Sequence, residues 1–192
     1  MRPEKLGFKI WTEKGADMFG SNEVDRNVLG EYRSQKGESL VELSAAGPVL
    51  LVFLRHFGCA FCREMVAELA EKRGEIEAQG SRLAFVHLGT EEKAKSFFAY
   101  YKLQDVPRFA DPDAHLYKEF GLARAKLGQY LNSESIYRMI FAWLDGHFIG
   151  LPAGDVQRMP GVFLMQENKI RRAFRHELVS DRTDYVALAN PA

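Results

Sequence analysis

The order of apolar runs and amphipathic stretches predicts an α/β sandwich with a mixed central sheet, helices on both faces, an N-terminal extension and one long insertion. Three observations carry this. Apolar runs at 49–54 and 83–88 each lead into a stretch with helical spacing, which makes two strand–helix units and a parallel strand pair with a right-handed crossover. Near the end, runs at 162–166 and 169–175 flank Glu167-Asn168 and read as an antiparallel hairpin. The only two cysteines sit at the first strand–helix junction, in Gly58-Cys59-Ala60-Phe61-Cys62-Arg63.

Each element follows from its local pattern. Residues 1–38 carry scattered glycines among polar residues and read as an extension with few tertiary anchors. The compact domain, 39–192, opens with Ser39-Leu40-Val41-Glu42-Leu43 as a turn or short strand, and Gly47-Pro48 punctuates before the strand at 49–54. A helix is expected over 60–78, because Phe61, Met65, Leu69 and Ile76 share one face and Glu64, Glu68, Glu71, Lys72 and Arg73 take the other. Gly80 ends it. After the strand at 83–88, Thr90-Glu91-Glu92-Lys93 opens a second helix with Ala94, Phe97, Phe98 and Tyr101 on one face. A short strand at 106–109 follows, and Asp111-Pro112-Asp113 caps a brief helix carrying Leu116, Tyr117 and Phe120. The insertion, about 121–157, holds a helix near 122–131 and an aromatic stretch at 141–152 that caps the sheet or forms a lid, an apolar groove or a dimer patch. A helix over about 183–189 closes the chain.

Composition narrows the function classes. Lys plus Arg and Asp plus Glu number 26 each, so no bulk field draws the protein to nucleic acid or anionic membrane. No run approaches the roughly 18 apolar residues of a membrane span, and the first residues lack the apolar core of a secretion signal. The expected location is cytoplasmic. There a lone cysteine pair points to redox chemistry rather than a structural staple. A closed structural zinc site needs four ligands, and His56 with the two thiols supplies three, so no metal is expected. No Gly-X-Gly-X-X-Gly follows a strand, so no nucleotide cofactor is expected either.

The cysteine pair carries the chemistry. Cys59 falls at a helix N-terminus, where unpaired backbone N–H groups and the helix dipole favour thiolate over thiol. Cys62, one turn inward, is placed to attack a mixed disulfide on Cys59 and resolve it. Arg55, His56 and Arg63 flank the pair with groups able to carry positive charge. His87 ends a core strand, either as a satisfied core histidine or near the site. Arg171, Arg172, Arg175 and His176 form a basic cluster on the last strand, and alternation places Arg172 with Ile170 and Phe174. That cluster is either a soluble edge or a reach from Arg172 to an active-site anion.

Leu50, Val52, Phe53, Leu54 and Arg55 leading into Phe57-Gly58-Cys59-Ala60-Phe61-Cys62-Arg63-Glu64, with Asp111-Pro112-Asp113, Leu116-Tyr117-Lys118, Phe120-Gly121-Leu122 and Gly161-Val162-Phe163 downstream, resemble the thioredoxin fold. The pattern is similar to the peroxiredoxin-like branch of the AhpC/TSA group, including the selenoprotein L-related redox proteins. The resemblance implies a thioredoxin-like three-layer sandwich and a Cys59/Cys62 dithiol–disulfide cycle. It implies an external thioredoxin- or glutathione-type reductant, a disulfide or peroxide substrate, and the option of a homodimer. It also implies a cis peptide at Pro160 facing the cysteines, the alternative being a trans proline that starts a strand. The chain departs from the pattern in two ways. Phe53 stands where thioredoxins keep a buried carboxylate, and the Pro and Thr of a peroxidase loop are replaced by Arg55 and Cys59 counted back from Cys62, or by Val52 and His56 counted back from Cys59. Three readings follow: a thiol–disulfide redox protein, a peroxidase acting on hydrogen peroxide or alkyl hydroperoxides, and a non-enzymatic interaction module.

Overall fold

The computed structural model describes residues 11–12, 23–122, 158–178 and 180–191. The helix expected near 122–131, the stretch at 141–152 and nearly all of the insertion lie outside them. The described strands are β1 (Trp11–Thr12), β2 (Val49–Phe53), β3 (Arg82–His87), β4 (Arg108–Ala110), β5 (Gly161–Gln166) and β6 (Lys169–Arg175). They form one sheet in the order β1-β6-β5-β2-β3-β4. β2, β3 and β4 run parallel, while β5 is antiparallel to β2 and β6, and β1 is antiparallel to β6.

The helices are α1 (Arg26–Glu31), α2 (Leu40–Ala45), α3 (Ala60–Ala78), α4 (Glu91–Tyr100), α5 (His115–Glu119) and α6 (Tyr185–Ala189). They bury two apolar layers, one on each face of the sheet. Leu50, Val52 and Leu54 point to a layer filled by Val66 and Leu69 of α3, Phe98 of α4 and Leu188 of α6. Val49, Leu51 and Phe53 point the other way, onto Leu29 of α1, Leu43 of α2 and Tyr117 of α5. β2 is therefore buried on both faces, which is why its sequence is an unbroken apolar run rather than an alternation. The three-layer sandwich predicted from the sequence is the architecture observed.

Two expectations about the first forty residues are corrected. Ser39–Leu43 is not a turn or strand: Ser39 Oγ accepts the Glu42 N–H, and the Glu42 carboxylate accepts the Ser39 N–H at 2.7 Å. That reciprocal pair satisfies two amides at a helix start and nucleates α2. The stretch before it is not thinly anchored either. From residue 23 on it packs against the domain: Val24 and Leu29 are buried, and the Gln35 amide donates to Val106 O and accepts from the Arg108 N–H, both at 2.8 Å.

Asp111 ties this segment to the rest. Its buried carboxylate accepts the N–H groups of His115 at 2.9 Å and Tyr117 at 3.3 Å, which caps α5, and the Tyr32 hydroxyl at 3.0 Å. The β5–β6 turn is held in a similar way. Glu167 and Asn168 adopt φ of 53° and 63°, and Ser44 at the end of α2 hydrogen-bonds Asn168 through side chain and backbone.

Asp111→Ala leaves buried donors unsatisfied and is expected to cost about 1–3 kcal/mol of stability. Urea denaturation followed by fluorescence checks this, with the midpoint falling; an unchanged midpoint would contradict the anchoring role.

Candidate active site

The C-terminal end of β2 and the N-terminal end of α3 meet at a six-residue loop, and the two cysteines lie where they meet. Cys59 is the N-cap residue of α3, with extended backbone, and Cys62 lies in the first turn. Both thiols are unbonded and buried, Cys59 at 5% exposure and Cys62 at 1%.

Arg55 touches both sulfurs. Its guanidinium Nη1 donates to Cys59 Sγ at 3.3 Å, and its backbone N–H donates to Cys62 Sγ at 3.4 Å. The guanidinium is held in turn by Nε donating to the Arg158 carbonyl at 3.2 Å. Arg55 is itself buried, so its charge acts at short range without bulk water to screen it.

The two thiols are driven apart in acidity. A hydrogen bond from the Cys62 thiol is the largest influence lowering Cys59, to about 6, with the Arg55 charge and the amides of Cys62 and Phe61 adding to it against the cost of burial. Cys62 is pushed up well above an ordinary thiol by that same bond, by burial and by the Cys59 charge. At neutral pH the pair is a Cys59 thiolate beside a Cys62 thiol. Cys59 is the nucleophile-ready sulfur.

The other expected site residues divide. His56 does not supply positive charge: burial, and then the neighbouring Arg55 charge, lower it to about 4, so it is neutral at pH 7. Arg63 donates Nε to the Phe57 carbonyl at 2.8 Å and stacks on Phe97, which clamps the loop rather than the sulfurs. Pro160 does come beside Cys62, lining one open pocket with it and with Phe61, Met65, His176 and Tyr185. Its peptide bond is trans, which corrects the cis expectation. Lacking an N–H, Pro160 sits at the residue before β5, where its carbonyl accepts the His176 N–H at 3.4 Å and extends the β5–β6 ladder.

Arg172 does not reach the sulfurs. Its guanidinium donates to the Ala187 carbonyl at 2.8 Å, within α6. The strand register explains this: Arg172 lies opposite Leu164, which pairs with Leu50, three residues short of Phe53 at the cysteine end of β2, and a bulge parts it from Ile170. Leu164 pairs with Arg172 but Met165 pairs with Ile170, so Arg171 is the extra residue and the alternation breaks there. Ile170 consequently joins one apolar layer and Phe174 the other. The rest of the basic cluster disperses, with Arg175 on the Phe120 carbonyl at 3.0 Å and Arg171 on Glu167 at 3.7 Å. His87 is a core histidine, buried, with Nδ1 3.0 Å from the Gly89 carbonyl.

Phe53 does not face the cysteines at all. It packs in the opposite layer, within 5.5 Å of the rings of Tyr117, Phe120 and Phe163. Arg158 was missed by sequence reasoning, since nothing local distinguishes it from other basic residues near strand ends, and His176, read only as part of the basic cluster, is the member of it that lines the pocket with Cys62. The one available signal for Arg158 was its place two residues before Pro160.

The family described as AhpC/TSA antioxidant enzyme matches this chain over residues 68–177, more than half its length and downstream of both cysteines. A prostamide/prostaglandin F synthase of Salmo salar is 28% identical over 176 residues, covering 86% of this chain and 82% of that protein. The chloroplastic thioredoxin-like protein AAED1 of Arabidopsis thaliana is 35% identical over a shorter span, 36% of this chain and 27% of its own length. Among solved structures, peroxiredoxin Q of Xanthomonas campestris superposes with a TM-score of 0.58 at 15% identity, over 82% of this chain and 88% of that one, which is a likeness of fold. With its thioredoxin-like, peroxiredoxin-type sandwich, the chain belongs to the AhpC/TSA antioxidant enzyme family.

Proposed function

We propose that the protein is a thiol oxidoreductase in which Cys59 and Cys62 cycle between dithiol and disulfide, with a hydroperoxide as the oxidant. The observation that carries this reading is Arg55 bridging the two sulfurs, guanidinium to Cys59 and backbone N–H to Cys62. Membership of an antioxidant enzyme family favours peroxide, and the enclosed Cys59 sulfur favours a small oxidant over a bulky protein disulfide.

In the first step the Cys59 thiolate attacks one peroxide oxygen. The O–O bond breaks, the alkoxide or hydroxide takes up a proton and leaves as alcohol or water, and Cys59 becomes a sulfenic acid. This removes the negative charge that had raised Cys62. Freed of that repulsion, and with the Arg55 N–H to support its thiolate, Cys62 attacks the Cys59 sulfur; the S–O bond breaks, water leaves, and a disulfide closes. Two electrons from an external dithiol of thioredoxin type, or from two glutathione-type thiols, reopen it. No bound cofactor takes part in this scheme.

A second reading has one specific support. The salmon prostamide/prostaglandin F synthase aligns along 86% of this chain, so the same dithiol would serve formation of a product of that kind. Turnover in a prostaglandin F-forming assay, with no oxidation of Cys59 by hydroperoxide, would favour it.

Mass spectrometry after stoichiometric peroxide tests the main reading. Wild type is expected to lose two hydrogens as the disulfide forms, and Cys62→Ser to gain one oxygen on Cys59. Oxygen gained on Cys62 in the Cys59→Ser protein, with Cys59 inert in Cys62→Ser, would reverse the roles.

The pH dependence follows from the Cys59 environment. Because Cys59 is held at about 6, its thiolate absorbance and its oxidation rate should be near their plateau at pH 7 and fall as pH drops through 6. Arg55→Gln removes a positive donor to the thiolate, so the midpoint should rise by about one to two pH units, the worth of a charge-assisted hydrogen bond. A midpoint that stays in place would show that the guanidinium does not hold the thiolate.

A further inference from the structure

Tyr117 touches no reacting atom of the cycle, yet it is wired to it. Its phenol is fully buried and donates to the Leu54 carbonyl, with the Val86 carbonyl 3.2 Å away beside it. The Leu54 carbonyl and the Arg55 N–H are two ends of one planar peptide group. That N–H is the one donating to Cys62 Sγ at 3.4 Å. Phenol, peptide and sulfur therefore form a single chain, in which a donor at the carbonyl polarises the amide and makes its N–H a better donor.

The phenol is fixed and stays protonated. Asp111 accepts the Tyr117 N–H at 3.3 Å and anchors the start of α5, and Phe53 packs against the phenol ring at 5.0 Å. Burial above all pushes the phenol far up, with the Asp111 charge, and that of Cys62 whenever it ionises, adding to it, so it remains a donor at any working pH. Asp111 in turn takes the Tyr32 hydroxyl at 3.0 Å, so the chain of contacts begins in the segment that precedes the compact domain.

We propose that Tyr117 is a positioning residue for the second half of the cycle: through the Leu54–Arg55 peptide it orients and strengthens the N–H that supports Cys62 as it attacks oxidised Cys59. The inference rests on the reading of Cys62 as the resolving sulfur. In the assisted step the S–S bond forms, the S–O bond of the sulfenic acid breaks, and the hydroxyl leaves as water with the Cys62 proton. Tyr117 keeps its own proton throughout and touches no reacting atom.

The first test is independent of peroxide. In the Cys59→Ser protein, the Cys62 titration is followed by the 13Cβ shift of labelled cysteine. Tyr117→Phe should raise its midpoint, and site-specific 3,5-difluorotyrosine at position 117, a stronger donor, should lower it. A structural role alone would not give opposite signs. Ser44→Ala, which removes a buried hydroxyl far along the chain, should leave the midpoint in place. Movement in the same direction for both Tyr117 variants, or none, overturns the inference, and the fluorinated protein supplies this readout even if Tyr117→Phe fails to fold.

The second test splits the cycle. By stopped flow with hydrogen peroxide, sulfenic acid formation in Tyr117→Phe should stay within about twofold of wild type, while disulfide closure slows roughly fivefold, the scale of one hydrogen bond. Cys59 sulfinic acid should then accumulate under excess peroxide. Equal slowing of both steps would overturn the inference. Absence of any Cys59 oxidation in wild type would instead sink the hydroperoxide reading, and the titration would still decide the role of Tyr117.

Discussion

Arg55 is the residue on which the site depends. A buried guanidinium is costly unless its charge is matched and its donors are used. Here it is fixed to the Arg158 carbonyl and aimed at Cys59, so the arrangement is most favourable when Cys59 is an anion. The same residue gives its backbone N–H to Cys62. One residue thus meets both sulfurs with donors of different strength: a full charge for the sulfur at the open end of α3, and a neutral amide for the one a turn inside. The asymmetry in acidity follows first from the Cys62 thiol hydrogen bond to the Cys59 sulfur and then, for Cys59, from the Arg55 charge that this placement brings to it.

The fold delivers Arg55 to this position by covering β2 on both faces. Two apolar layers fix β2 in register with β3 on one side and β5 on the other. Its C-terminal end therefore has little freedom, and α3 begins after a loop of only six residues. β5 enters antiparallel from Pro160, which brings Pro160, and His176 across the ladder, to the pocket beside Cys62. The far layer takes part as well, since Tyr117 of α5 reaches across to the carbonyls where β2 and β3 end. Cys62 accordingly takes a hydrogen bond from a peptide N–H, and the strand position where thioredoxins keep a carboxylate is held by Phe53 in the opposite layer.

Much of this was legible in the sequence where the signal is local and periodic. β2, α3, the hairpin turn at Glu167-Asn168 and the caps of α4 and α5 each follow from patterns within a few residues. Ser39-Leu40-Val41-Glu42 was equally legible as a capping box and was misread because two apolar residues inside it suggested a strand. What escaped required tertiary knowledge. The bulge at Arg171 puts Ile170 in one layer and Phe174 in the other, the register leaves Arg172 beside α6 rather than at the cysteine end, and no local feature marks either. His56 has the right chemistry for a positive neighbour, yet burial beside a fixed cation keeps it neutral. The packing of residues 23–38 depends on partners some seventy to eighty residues away, such as Asp111 for Tyr32 and Arg108 for Gln35. The cysteine pair was visible at once; the groups that separate its two acidities were visible only in part.

The central claim is that the two sulfurs differ, with Cys59 the thiolate and Cys62 the thiol, in the reduced protein. A site-resolved titration measures this directly, using 13Cβ-labelled cysteine in reduced wild-type protein from pH 5 to pH 10. The account predicts that the Cys59 resonance moves first, with a midpoint well below that of a free thiol, while Cys62 stays protonated through neutral pH. Joint titration of both sulfurs near the free-thiol value, or Cys62 ionising before Cys59, would contradict it.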